Sequence, residues 1–144
     1  KLPAEEITKA DLDALRAGFG AKGDKIDVVV FAAPQLSIVE MQALAAQCAG
    51  KTFKSAVIVC TSPQVYPDAT RMGLIDVIEG TGAKVLEGTC FYNQYAREIG
   101  EANGWTRLLS NSAKIVNIIS GYGYTPALAS MDRCVASAVA GEIV

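Results

Sequence analysis

Apolar residues along the chain fall into short blocks that predict five β-strands. Ile26–Ala32 is a continuous run rich in β-branched residues, which is typical of a strand buried on both faces. Ala56–Cys60 repeats this pattern. Lys84–Glu87, Thr106–Leu109 and Thr125–Leu128 are shorter strand candidates.

Between these blocks, apolar residues recur at helical spacing. Thr8 is the predicted cap of a first helix that reaches about Gly20. Ser37 and Glu40 form a capping box, which predicts that a second helix begins there. The predicted buried face of that helix consists of Met41, Leu44, Ala45 and Cys48.

The second half of the chain predicts four more helical segments. Ser62–Pro63 has the cap-and-proline pattern of a helix start, and helical spacing continues from Asp68 through Ile78. Residues 91–103 and 112–119 follow the third and fourth strands, and Ser130 is the predicted cap of a last helix.

Alternation of strands and helices predicts an α/β fold, because right-handed crossovers between them build a parallel sheet. We expect a three-layer α/β/α sandwich with a mostly parallel sheet of four or five strands. Residues 1–144 are predicted to form a single domain. Neither G-x-G-x-x-G nor a P-loop motif follows a strand, so a dinucleotide cofactor has no support.

Charge and composition exclude several functional classes. The chain is 51% hydrophobic and 19% charged, with a net charge of -2 and a pI near 5.1. This balance argues against a nucleic-acid or anionic membrane surface. No apolar run is long enough for a membrane span, and residues 1–6 lack the apolar core of a signal peptide. A cytoplasmic location is the resulting expectation.

The four cysteines contain no C-x-x-C pair, so a self-contained zinc or ferredoxin-type site is not predicted. Cys48, Cys60 and Cys134 lie in apolar patterns and are interpreted as core residues. Cys90 differs, since it follows Gly88 in a polar turn where a thiol is accessible. It is a candidate iron ligand, nucleophile or packing residue. The chain has no histidine, so a Cys90 nucleophile would lack the commonest general base.

Polar side chains follow four successive strands, at the edge where open parallel sheets bind ligands. These candidate substrate-binding residues are Ser37, Thr61, Ser62, Asn111, Ser112 and Lys114. Lys114 stands in the first turn of a predicted helix, where the helix dipole is already positive. It is interpreted as an anion clamp, with a solvated lysine as the alternative. The hydroxyls are otherwise ordinary helix caps.

The same strand-end segments resemble the C-terminal domain of the large component of aconitase X. The resembling stretches are Pro34–Glu40, Thr61–Ser62 followed by Val65–Tyr66, Gly88–Cys90, Asn111–Lys114 and Ser130–Gly141. Each is short, and their common order along nearly the whole chain makes the match specific.

The resemblance implies a hydro-lyase that removes water from a small hydroxy acid with an iron–sulfur cluster (2Fe-2S or 4Fe-4S) as Lewis acid. It implies that Cys90 is a cluster ligand and that the six polar residues line the substrate pocket. The other ligands would come from residues outside this chain, in the remainder of the large component or in a small swivelling domain or subunit. The catalytic residues are not identified.

Two positions depart from the family pattern, in which His often replaces Gln35 and Asp often replaces Gly88. These departures leave a divergent substrate or an inactive paralogue open. Known activities of the family act on cis-3-hydroxy-L-proline and phosphomevalonate. Because Lys114 is the one basic residue evident at the strand ends, the hydroxyproline-type substrate is preferred. The alternative function is a non-catalytic α/β domain that binds a small anion or serves regulation.

Overall fold

Five strands pair in parallel into one sheet. The computed structural model describes residues 4–20 and 22–144. Residues 1–3, which begin the segment that lacks a signal-peptide core, lie outside these ranges. The strands are β1 (Val28–Leu36), β2 (Ala56–Thr61), β3 (Lys84–Glu87), β4 (Arg107–Ser110) and β5 (Thr125–Leu128). Their order in the sheet is β3-β2-β1-β4-β5.

Helices cover both faces of this sheet. They are α1 (Lys9–Ala17), α2 (Ile38–Cys48), α3 (Tyr66–Arg71), α4 (Leu74–Glu79), α5 (Ala96–Asn103), α6 (Ala113–Ile118) and α7 (Met131–Ala140). Two short 3-10 helices, Phe91–Asn93 and Ile119–Tyr122, precede α5 and follow α6. None of the helices in the described ranges is long and apolar enough to cross a membrane.

The side chains of β1 alternate between two hydrophobic cores. Val29 and Phe31 pack with α2, α4 and α7, whereas Val28 and Val30 pack with α5 and α6. A strand has a side-chain period of two, so a run without polar residues fills both cores at once. The predicted three-layer α/β/α sandwich is confirmed.

Several element boundaries differ from the prediction. The predicted helix start at Ser62–Pro63 is wrong: α3 begins at Tyr66, with Pro67 in its first turn, where a proline loses no helical hydrogen bond. The predicted single helix through Ile78 is divided because Gly73 takes a left-handed φ of 71°.

The segment after β3 is also less regular than predicted. The expected helix over residues 91–103 is a 3-10 turn followed by α5, and Tyr95 between them has a φ of 59°. Ser130 has the extended conformation of a cap, but its side chain accepts no hydrogen bond from the helix backbone. Helix α1 has its predicted Thr8 capping box and buries none of its residues.

Asp27 fastens the start of β1 to the start of β4. Its Oδ2 accepts hydrogen bonds from the backbone N–H groups of Thr106 and Arg107, both at 2.8 Å. Partial burial acts to raise the pKa of Asp27, but the hydrogen bonds from these two residues outweigh it, and the pKa lies below its ordinary value of 3.8. The ionised carboxylate therefore stabilises the folded state.

Asp27→Asn is expected to destabilise the chain at neutral pH and to flatten the acid limb of its stability profile. A lowered folded-state pKa contributes stability that is complete above the unfolded value and is lost as pH falls through the folded value. Urea unfolding at pH 7 and pH 3 should show a large difference between the variant and the parent only at pH 7. Asp76→Asn, on α4, is the control. Equal differences at both pH values would contradict this role.

Candidate functional site

The carboxyl ends of β1, β2, β3 and β4 lie on one edge of the sheet, because every strand pair in it is parallel. Ser37, Ser62, Cys90 and Asn111 follow these four ends in turn. We call this edge the rim. Strand β1 has β2 on one side and β4 on the other. The crevice between β1 and β4 is therefore the topological switch point, the usual ligand position in such sheets.

Three hydroxyls at the rim donate hydrogen bonds to backbone carbonyls of β1. Ser110 Oγ donates to the Val30 carbonyl at 2.6 Å and Ser112 Oγ donates to the Ala33 carbonyl at 2.6 Å. Thr61 Oγ1 donates to the Leu36 carbonyl at 2.7 Å, and the residue is fully buried. These hydroxyls hold neighbouring strand ends together. A substrate contact of Thr61 and Ser112 stays a prediction, and the protons of both are already engaged.

Ser37 and Ser62 reach further into solvent. Ser37 is exposed, and its hydroxyl donates to Glu40 Oε2 at 2.7 Å within the predicted capping box. Ser62 is half-buried and accepts a hydrogen bond from the Val65 N–H at 3.3 Å. Both oxygens keep accepting capacity. Unlike the hydroxyls of Thr61 and Ser112, they donate no hydrogen bond to a described residue of β1.

The Asn111 amide and the Lys114 ammonium group remain available to a ligand. Asn111 is half-buried, and its amide makes no hydrogen bond with any described residue. Lys114 is exposed, and its Nζ lies 5.6 Å from the centre of the Tyr92 ring, within the range of a cation–π contact. This contact places the ammonium group beside Tyr92, and the role of Lys114 as an anion clamp stays a prediction.

Gln35, which departs from the family pattern, makes a hydrogen bond to the turn after β3. Its Nε2 donates to the Thr89 carbonyl at 2.8 Å, across the end of β2. Gly88 just before has a φ of 67°, and a Cβ there would lie 3.1 Å from Pro63 Cγ. Glycine relieves both constraints. Together these two residues set the path of the turn that carries Cys90.

Cys90 is the half-buried thiol of the chain, whereas Cys48, Cys60 and Cys134 are buried. Burial raises the pKa of Cys48 to about 11 and that of Cys134 to about 12. The pKa of Cys60 is also raised, mainly by burial. Their predicted placement in the core is confirmed. Cys90 directly precedes the 3-10 helix Phe91–Asn93 and packs against the core that contains residues of α5 and α6, so the turn carries a partly buried thiol.

Alkylation of the native chain with iodoacetamide is expected to modify one cysteine, Cys90. A thiolate is the reacting species, and burial keeps the other three thiols protonated and inaccessible. Mass spectrometry of the intact chain at pH 8 should show a single adduct, and Cys90→Ser should show none over the same time. Early modification of Cys134 would show that the native core opens readily.

The rim does not contain a complete metal site. Within the described part of the chain, no group of three or more His, Cys, Asp or Glu side chains could hold a metal ion. Structural iron–sulfur clusters need about four such ligands. The described residues therefore hold no complete cluster site, and the role of Cys90 as a cluster ligand stays a prediction.

Comparison with known proteins places the fold and the family. A sequence model of the aconitase X third domain matches residues 26–140. The chain is 24% identical to the phosphomevalonate dehydratase large subunit of Thermococcus kodakarensis, over 96% of this chain and 35% of that subunit. It is 30% identical to the cis-3-hydroxy-L-proline dehydratase of Pseudomonas aeruginosa, over 90% of this chain and 23% of that enzyme.

A crystal structure of Thermococcus kodakaraensis aconitase X in its holo-form shares the fold, with a TM-score of 0.76 and 20% identity. The match covers 92% of this chain and 33% of that one. The chain thus spans about a third or less of the length of these relatives. Because the family model covers most of its residues, the chain belongs to the aconitase X family and contains the third domain of that family.

Proposed function

We propose that this chain is one domain of an iron–sulfur hydro-lyase and that its rim forms one wall of the active site. The observation that carries the proposal is the position of Cys90. This half-buried thiol shares one sheet edge with Ser37, Ser62, Asn111 and Lys114, whose ammonium group lies over the Tyr92 ring. Cys90 would supply one ligand to a cluster that is completed by residues outside this chain. The cluster would act as Lewis acid on the leaving hydroxyl.

The proposed substrate is a small hydroxy acid, cis-3-hydroxy-L-proline or a related compound. Similar proteins include dehydratases of cis-3-hydroxy-L-proline and of phosphomevalonate. Both of these compounds carry a hydroxyl and an acidic group. Lys114 would bind the acidic group by charge, and the Asn111 amide and the two outer hydroxyls would orient the substrate by hydrogen bonds. Thr61 and Ser112 would act indirectly, because their hydroxyls hold the neighbouring strand ends together.

The proposed partners follow from the incomplete site. The chain would be joined to the remainder of a large component, with a small swivelling domain or subunit closing over the rim, and the enzyme would act in the cytoplasm. The histidine-free chain would leave the catalytic base to those parts. The isolated chain is then expected to be inactive.

Iron and acid-labile sulfide analysis of the natural polypeptide that contains this chain tests the proposal. Cys90→Ser should lose most of its iron and sulfide, since one missing thiolate leaves the cluster under-coordinated. Cys48→Ala, which removes a buried thiol from α2, should keep the parental iron content. Unchanged iron in the Cys90 variant would remove the proposed role of Cys90.

A non-catalytic domain that binds a small anion is the second candidate. It is favoured by the lack of a complete metal site among the described residues. If the natural polypeptide holds no iron when it is isolated without oxygen, this function replaces the first.

A further inference from the structure

The turn after β3 folds back over the end of β2 and brings Cys90 near Cys60. The Gly88 N–H donates to the Thr61 carbonyl at 2.9 Å. Cys60 Sγ lies 3.8 Å from the hydroxyl oxygen of Thr89, the residue before Cys90. Because consecutive Cα atoms are only about 3.8 Å apart, the two cysteines are neighbours in the fold, although 29 residues lie between them in the sequence.

The Cys60 thiol interacts with this turn at three successive residues. Burial raises the pKa of Cys60, hydrogen bonds with the Thr89 side chain and the Phe91 N–H oppose the increase, and the charge of the nearby Cys90 adds to it. Phe91 is held by an edge-on contact with the Tyr124 ring, with ring centroids 6.0 Å apart. The turn is therefore fixed on both sides of Cys90, with the Cys60 sulfur against it.

The sheet divides the four cysteines between two cores. Cys48 and Cys134 are buried in the core that includes α2, α4 and α7. Cys60 is buried in the core on the opposite face, and Cys90 packs against that same core. Cys90 is half-buried, whereas the other three are buried. Cys60 is thus the cysteine of the described chain that shares a core with the thiol nearest to solvent.

We propose that Cys60 and Cys90 form a reversible disulfide when hydrogen peroxide oxidises Cys90. In the first step the Cys90 sulfur attacks the peroxide, the O–O bond breaks, and a sulfenic acid and one water form. In the second step the Cys60 sulfur attacks the Cys90 sulfur and the S–O bond breaks. The departing hydroxide takes the Cys60 proton as a second water. The two thiols lose two electrons to the peroxide, and a dithiol reductant restores them by exchange.

The disulfide has two consequences for Cys90. It competes with further oxidation of the sulfenic acid to a sulfinic acid, which simple thiols do not reverse. It also occupies the sulfur that the proposed cluster needs. This second consequence rests on the proposed function, whereas the disulfide itself depends only on the two thiols.

Peptide mapping of the natural polypeptide that contains this chain tests the proposal. The polypeptide is freed of iron with a chelator, oxidised with hydrogen peroxide, denatured, blocked with iodoacetamide and digested with trypsin. Cleavage after lysine and arginine places Cys60 in residues 55–71 and Cys90 in residues 85–97. Mass spectrometry should show these two peptides joined, with two hydrogen atoms fewer than their sum. Dithiothreitol added before blocking should remove the joined peptide.

Two alanine variants identify the partner of Cys90. Cys60→Ala should give no joined peptide, and its oxidised Cys90 should be trapped by dimedone as a sulfenic acid. Cys48→Ala, which also removes a buried thiol but from the other core, should form the joined peptide as the parent does. Circular dichroism checks that each variant is folded, and the result for the parent does not depend on either variant.

A sulfinic acid at Cys90 beside a free Cys60 thiol in the oxidised parent would overturn the proposal. A Cys90 peptide joined to any other cysteine, or a Cys90 that peroxide leaves unmodified, would overturn it as well.

A comparison with the iron-loaded polypeptide separates this proposal from the proposed function. If Cys90 is a cluster ligand, the joined peptide should form more slowly when iron and sulfide are bound, and Cys60→Ala should keep the parental iron content. Equal rates with and without iron would contradict the cluster role of Cys90, while the joined peptide itself would still support the disulfide.

Discussion

Phe31→Ala is expected to lower the free energy of unfolding by about 3–5 kcal/mol, as is usual when a buried aromatic ring is truncated. Phe31 is fully buried in the core that includes α2, α4 and α7, and it pairs with Val59 in the central part of the sheet. The loss combines the transfer of the ring to water with the cavity left behind. Domains are stable by only about 5–15 kcal/mol, so this variant should be close to unfolding at 37 °C.

Urea unfolding monitored by circular dichroism measures this change. Phe31→Leu keeps most of the volume and should lose clearly less stability. Val39→Ala removes an apolar side chain that is exposed on α2 and should change the midpoint little. A Phe31→Ala variant as stable as Val39→Ala would mean that the sheet repacks around the missing ring.

Much of the fold could be predicted because its signals are local. The two-faced burial of β1 follows from an apolar run without alternation. The start of α2 follows from Ser37 and Glu40, whose reciprocal hydrogen bonds need only residues within one turn. The buried face of α2 was also correctly predicted, because helical spacing and burial coincide there.

The errors in the fold fall where the sequence offers no unique signal. Ser62–Pro63 and Tyr66–Pro67 are both plausible helix starts in sequence, and α3 begins at the second of them. Strand β1 was predicted to end at Ala32 but continues to Leu36, with an irregularity in its register against β2 after Phe31. The irregularity lies within β1 itself, where Ala33 has a positive φ of 51° that the apolar pattern does not indicate.

The candidate site, like the fold, could be predicted only in part from the sequence. Parallel topology predicts which residues reach the shared edge, but it does not predict which side chains turn inward. Thr61 and Ser112 turn toward β1 carbonyls, whereas Asn111 forms part of a cleft. From the sequence, Lys114 was the one basic residue evident at the strand ends. The sequence did not indicate that Arg16 and Arg133 line a common cleft, because 116 residues lie between them.

Ser110→Val is expected to lower the free energy of unfolding by about 2–4 kcal/mol and to disturb the rim. Ser110 is fully buried; its Oγ donates to the Val30 carbonyl at 2.6 Å and accepts from the Ser112 N–H at 3.1 Å. Valine removes both hydrogen bonds and leaves two polar groups without these partners, at about 1–3 kcal/mol for each one left unsatisfied. The hydrogen bond to Val30 joins β4 to β1 at the switch point, and the one from Ser112 holds the turn after β4, so their loss should also loosen the end of β4.

Two measurements separate the effect on stability from the effect on the site. Ser120→Val, an exposed serine in the 3-10 helix after α6, should unfold at nearly the parental urea concentration. Amide hydrogen exchange under native conditions should be faster at Asn111 and Ser112 in the Ser110 variant, while protection in the distant β3 follows global stability alone. Uniformly faster exchange across the sheet would show that Ser110 serves only general stability. Selective loss of amide protection at the end of β4 would show that the Ser110 hydroxyl maintains the geometry of the switch point. The rim is built from four separate strand ends, so its geometry depends on the hydrogen bonds that join those ends.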